Sequence, residues 1–114
     1  MPQRYKIYYT STAEQDITEK LMYIMQQYRD TALAERWYNR LRALMQENLI
    51  AFPARYPLHD VVPWSSAGIR QYVTRNDVIL YSVDEIHSHV YIRSICTRGR
   101  DLDLHLSEQS ESIE

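Results

Sequence analysis

Residues 68 to 97 read GIRQYVTRNDVILYSVDEIHSHVYIRSICT, and the fold class turns on this stretch. Ile69, Gln71 and Val73 alternate with Arg70, Tyr72 and Thr74, which is the period of a strand whose two faces differ. Arg75-Asn76-Asp77 is a tight polar turn into Val78-Ile79-Leu80-Tyr81-Ser82-Val83, so the first two segments form a hairpin. Asp84 to His89 is a second polar turn. Val90 to Thr97 is then a third strand, rich in the β-branched and aromatic residues that suit a pleated surface. Three consecutive strands joined by short turns make an antiparallel meander.

Upstream, residues 53 to 68 (PARYPLHDVVPWSSAG) hold three of the four prolines and one of the two glycines, and read as a long ordered loop without periodicity. Before it lie two helical segments. Ser11-Thr12-Ala13-Glu14 fits a capping box, followed by Ile17, Leu21, Ile24, Met25 and Tyr28 at helical spacing. On this reading Glu14, Asp16, Glu19, Lys20 and Gln27 mostly face water, and the helix ends near Arg29. Asp30 and Thr31 offer a second cap, and Ala34, Trp37, Leu41, Leu44, Met45 and Asn48 repeat the spacing until Phe52 and Pro53 stop it. So short a link lays the two helices side by side. Tyr5, Ile7 and Tyr9 alternate with Lys6 and Tyr8, giving a first strand over 5 to 9. The expected architecture is therefore α+β: an antiparallel two-helix hairpin packed on a mostly antiparallel four-stranded sheet, in the order β-α-α-β-β-β. Ile24, Trp37, Leu41 and Tyr81 are the expected helix–sheet core.

At 114 residues and 13.6 kDa, with 45% hydrophobic and 25% charged residues, the chain has the size and balance of one domain. We expect that domain over 1–106 and an acidic, disordered tail over 107–114. A lone thiol, Cys96, offers no internal disulfide and suits a reducing compartment; with no long apolar run, the expectation is a cytoplasmic protein without membrane contact. The net charge of -2 hides an asymmetry: residues 1 to 100 carry 13 basic and 10 acidic groups, whereas residues 101 to 114 carry five acidic groups and no basic one. Eleven of the 13 cations are Arg, whose planar fork grips carboxylates and phosphates in pairs of hydrogen bonds.

Only two glycines are present, Gly68 and Gly99, so no Gly-rich phosphate loop exists. His87 and His89, one residue apart in a polar turn, read as solvated surface groups rather than as metal ligands, and no metal or cofactor is expected. Cys96 reads as a small core residue. What remains is a run of guanidinium groups, Arg70, Arg75, Arg93, Arg98 and Arg100, on the sheet or its C-terminal exit. The sheet face away from the helices is expected to be basic and aromatic, suited to phosphate or carboxylate. The competing reading pairs Arg70 and Arg93 with Asp77, Asp84, Glu85 or the tail.

The ordered set STAEQD (Ser11–Asp16), the helical pair, Phe52-Pro53, Gly68-Ile69-Arg70, ILYSVDE (Ile79–Glu85) and RGRDL (Arg98–Leu102) resembles the RelE/ParE toxin superfamily over residues 5 to about 102. The resemblance implies the same β-α-α-β-β-β fold and a toxin of a type II toxin–antitoxin, plasmid-stabilisation module. It also implies a cognate antitoxin as partner, in a complex of heterotetramer size or larger. RelE-like members cleave mRNA in the ribosomal A site with side chains of the concave sheet; ParE-like members bind DNA gyrase. Where RelE-like chains carry RLVY, this sequence has VILY, so Val78 stands in place of an expected catalytic Arg, and the exit RGRDL is closer to ParE. The expected function is accordingly gyrase inhibition without catalysis, with Arg70, Arg93, Arg98 and Arg100 binding the target. The alternative is a ribosome-dependent endoribonuclease acting on mRNA, for which Arg70, Arg93, Arg98 and His105 would be the catalytic set. A degenerate homologue that only binds antitoxin is the third class.

Overall fold

The computed structural model describes residues 4–59 and 64–98. Strand β1 (Lys6–Tyr9) leads into helix α1 (Ser11–Tyr28) and helix α2 (Thr31–Leu49); a 3-10 turn (Pro53–Arg55) and an irregular loop precede β2 (Arg70–Val73), β3 (Asp77–Asp84) and β4 (His89–Thr97). The sheet order is β1-β4-β3-β2, with β1 parallel to β4 and the other pairs antiparallel. The architecture is the expected two helices on a four-stranded, mostly antiparallel sheet. The end of the expected domain, residues 99–106, lies outside the described residues, as does the expected tail.

Local signals explain most boundaries. Asp30 caps α2 by accepting the Leu33 N–H at 3.1 Å. The link between the helices reverses at Arg29, which takes the left-handed conformation (φ 51°) while its N–H donates to Met25 O. The cap of α1 differs from the expected one: Thr10, not Ser11, accepts the Ala13 N–H, so the Ser11–Glu14 capping box is not formed. Thr10 serves two ends at once, because its hydroxyl also donates to Ile92 O at 2.9 Å and ties the start of α1 to β4.

The main core joins the inner faces of both helices to one face of the sheet, through Ile17, Leu41, Met45 and Leu49 against Tyr72, Ile79, Tyr81, Val90, Ile92 and Ile95. Of the four expected core residues, Ile24, Leu41 and Tyr81 are buried, whereas Trp37 is half-buried and donates its indole N–H to Asp77 Oδ2 at 2.9 Å. Met25 and Tyr28 depart from the expected stripe: beyond Ile24 every residue of α1 is exposed, so among the described residues its last turn lacks a packing partner.

Asp16 also departs from expectation, being buried rather than facing water. The reason lies in strand length. β1 stops at Tyr9, opposite Ile92, which among the described residues leaves the rest of the β4 edge without a ladder partner. Asp16 Oδ2 accepts both the Ile95 N–H and the Ser94 hydroxyl at 3.0 Å, and Lys20 Nζ donates to Thr97 Oγ1 at 2.7 Å. Polar side chains of α1 thus do for this edge what a longer β1 would have done, which is why a carboxylate is tolerated there. The opposite edge is covered by the loop, where Gln71 N–H donates to Pro57 O and His59 N–H to Ile69 O.

Candidate functional site

The sheet face away from the helices is built in two halves. In one, Val78, Leu80 and Cys96 form a second apolar cluster with Ile69, and Trp64 of the loop packs over it. That packing depends on the turn through Gly68, whose φ of 80° suits glycine. In the other half, pairing of β1, β4 and β3 aligns two cross-strand rows: Lys6, His89 and Asp84, then Tyr8, Tyr91 and Ser82. No described segment packs over this half as Trp64 does over the first.

These side chains form one contiguous surface. The Tyr8 and Tyr91 rings lie 5.8 Å apart and within 29° of parallel, and His89 meets the edge of Tyr8 at 4.6 Å. His89 Nδ1 is 3.1 Å from the Tyr91 hydroxyl, and the His87 ring stacks 5.8 Å beyond it. A cation sits at each end: Lys6 Nζ is 5.5 Å from the Tyr8 centroid and Arg93 Cζ 5.8 Å from that of Tyr91. Arg93 Nε donates to Ser82 Oγ at 3.0 Å. Asp84, which shares the row of His89, accepts from His87 Nδ1 at 2.8 Å, and that bond holds its carboxyl below the usual carboxylate range.

A bulge aims Arg93. Leu80 pairs with Ser94 and Tyr81 with Ile92, so Arg93 is the extra residue of β4 and has no partner across the ladder. The extra residue leaves Arg93 half-exposed on the open face, whereas Ser94, paired with Leu80, is fully buried and bonds Asp16 at the β4 edge.

The sequence-expected site residues are dispersed by the same geometry. Arg70 pairs with Tyr81, so it lies on the helix side, where its Nη1 donates to Tyr56 O at 2.6 Å. The expectation that Arg70 and Arg93 share the open face is therefore corrected: one pairing register places them on opposite faces. Neither takes a carboxylate in ion-pair range among the described residues, so the ion pairs with Asp77, Asp84 or Glu85 considered above do not form. Asp77 is buried and faces Lys20 Nζ at 3.5 Å and Trp37 instead. Arg98 is exposed at the exit of β4 and lines a groove of about 650 Å³ with Lys20, Arg75, Tyr23, Tyr28 and Trp37. Arg100 and His105 lie outside the described residues. Val78, the position of the expected catalytic Arg, is 4% exposed within the capped cluster.

Lys6, Tyr8, Ser82, His89 and Tyr91 are the residues that sequence reasoning missed. Alternation already put Lys6 and Tyr8 on one face; what it could not show was that this face continues into His89 and Tyr91, some eighty positions away. Chemically, the array offers imidazoles, phenols and two cations on half-exposed rings. Among the described residues no group of three or more His, Cys, Asp or Glu side chains has metal-ligating geometry.

No protein-family model matches the chain, and no curated protein matches it. Among solved structures, it is similar to a chain of the toxin–antitoxin complex RelBE2 from Mycobacterium tuberculosis, with a TM-score of 0.62 and 21% identity over 86% of this chain and 95% of that one. YafQ from E. coli aligns with a TM-score of 0.46 and 18% identity, covering 83% of this chain and 94% of that one. At such identities the likeness is one of fold.

Proposed function

We propose that the protein is the toxin of a type II toxin–antitoxin pair, of the RelE kind, directed at mRNA on the ribosome and neutralised by a cognate antitoxin. The observation that carries this reading is the fold shared with RelBE2, a toxin–antitoxin complex, over 95% of the matched chain. It favours the ribosome-directed alternative over gyrase inhibition, for which the sequence offered the RGRDL exit and Val78 and the similar structures offer nothing. The chemistry of the open face points the same way, since cleavage next to a ribose 2′-hydroxyl needs proton-transfer groups and cations together, and His87, His89, Tyr91 and Arg93 supply both types.

The antitoxin has a surface that fits it. Met22, Tyr23, Met25 and Tyr28 are 54%, 54%, 43% and 60% exposed on the overhanging half of α1, next to the groove that holds Arg75 and Arg98. Such a surface suits an amphipathic segment with acidic flanks. One observation favours a second reading, the non-toxic homologue that only binds antitoxin: the expected catalytic Arg is replaced by Val78 inside a capped apolar cluster.

Induced expression in bacteria, with and without the product of the adjacent gene, tests these readings. We expect growth arrest relieved by co-expression, new 5′ ends in ribosome-bound mRNA, and unchanged gyrase supercoiling. Arrest with lost supercoiling and intact mRNA would restore the gyrase reading; no arrest, with retained binding of the neighbouring product, would favour the degenerate homologue.

A further inference from the structure

We infer that the uncovered half of the sheet face is a binding platform for single-stranded RNA, in which bases stack on Tyr8 and Tyr91 and phosphates sit on Lys6 and Arg93. The inference rests on the RNA-directed reading for its choice of nucleic acid, but of the residues that the resemblance implies for the site it uses Arg93 alone. Val78 lies in the capped half, under Trp64, where no strand of RNA can reach.

Cross-strand aromatic pairs also stabilise sheets by themselves, so the argument turns on what surrounds these. A structural pair is normally covered or flanked by apolar side chains, as Tyr56 and Tyr72 are beside the main core. Tyr8 and Tyr91 are instead half-exposed, flanked by Lys6 and Arg93, and joined by polar edges at His89 and Ser82. Asp84, the carboxylate of the two rows, accepts from His87 Nδ1 and lies in the row of Lys6 and His89, one step removed from the Tyr8–Tyr91 pair. The row of Lys6 and the position of Arg93 are four residues apart along β4, about 13 Å by strand geometry, and the two phenol rings lie between them. Aromatic rings between cations are the arrangement that sequence-tolerant single-strand binders use, because every base has a π-face and every phosphate a charge. A duplex keeps its bases stacked on one another and cannot use the rings. His89 and Ser82 add donors and acceptors at the height of a ribose 2′-hydroxyl, which a deoxyribose lacks.

Fluorescence polarisation with the purified full chain tests this, using a short labelled single-stranded RNA, the same RNA as a duplex, and its single-stranded DNA counterpart. We expect the single-stranded RNA to bind tightest. Tyr8→Ala and Tyr91→Ala should each weaken it about tenfold, and Tyr91→Phe, which keeps the ring, much less. The slope of log affinity against log salt should drop by about 0.7 for each of Lys6→Gln and Arg93→Gln. Arg36→Ala, which removes an exposed cation of α2, should change nothing. Thermal melting keeps the variants comparable, and the conservative Lys6→Gln and Tyr91→Phe carry the test should the alanine variants unfold. Equal binding of duplex or of single-stranded DNA, undiminished binding in Tyr8→Ala and Tyr91→Ala, or absence of RNA binding by the wild type would each overturn the inference. Failure of the function reading looks different: RNA bound at these residues by a chain that leaves growth and translation untouched. Arrest of translation by variants that no longer bind the free RNA would sink the platform and leave that reading standing.

Discussion

Along β3 and β4 the same sheet face is built in two ways, and the boundary between them falls at the bulge. On the β2 side, Val78, Leu80 and Cys96 are at most 4% exposed beneath Trp64 and pack with Ile69. On the β1 side, Ser82, Asp84, His89 and Tyr91 are all half-exposed, and the extra residue that marks the change is Arg93. A loop whose backbone pairs with β2 can cover only the half it reaches, so the chain places apolar residues there and polar rings where no described segment arrives. Substitutions should therefore cost stability in the first half and binding in the second.

The largest effect is expected at Val78. A Val78→Arg change restores the residue type expected of a RelE-like site but puts a cation into an apolar cluster without a partner, which should cost about 3 to 5 kcal/mol. Urea denaturation measures the loss; a stable Val78→Arg protein with raised nuclease activity would mean that the capped half opens. Next comes Leu80→Ala. Leu80 is fully buried, and the transfer and cavity terms together should cost about 2 to 5 kcal/mol, visible as a lower urea midpoint with an unchanged slope. A near-neutral result would show that Trp64 collapses into the space.

A smaller effect, dependent on pH, is expected on the helix side at Tyr81. Its hydroxyl donates to Pro53 O at 2.5 Å, and burial pushes its pKa well above the ordinary value of 10.0. Below that value the phenol is neutral folded and unfolded. Above it the unfolded chain gives up the proton while the folded chain keeps it, so stability falls as pH rises past about 10. Tyr81→Phe should flatten that fall, at a cost near neutral pH of about 1 kcal/mol for the lost hydrogen bond; an unchanged pH profile would assign the fall to other tyrosines. The smallest stability effect belongs to the uncovered half. Lys6→Gln and Tyr91→Phe should stay within about 0.5 kcal/mol of the wild type, and a larger loss would make the array a structural element.

How far this was readable from the sequence depended on the distance over which each signal acts. Alternation over Ile69–Thr74 and Val78–Val83, the cap at Asp30 and the turn at Asn76 are local, and they lead directly to the observed meander and helical hairpin. The Ser11 capping box failed by one residue because Thr10 had a better partner in Ile92 O, which no local pattern reveals. Asp16 read as a solvent residue for the same reason: its partners, Ser94 and Ile95, are tertiary neighbours. Arg70 and Arg93 read as one cluster because alternation separates the two faces of a strand without saying which one the helices cover.

The sequence by itself determined the kinds of elements, their order, and the α+β class, since periodicity and turn chemistry act within a few residues of their cause. Tertiary structure alone decided that β1 adds in parallel beside β4, bringing Tyr8 to Tyr91 and Lys6 to His89, and that a bulge turns Arg93 outward. Pairing between strands so far apart in the chain is selected by which faces the helices bury and by which edge remains free, and that selection exists only once the whole core has formed.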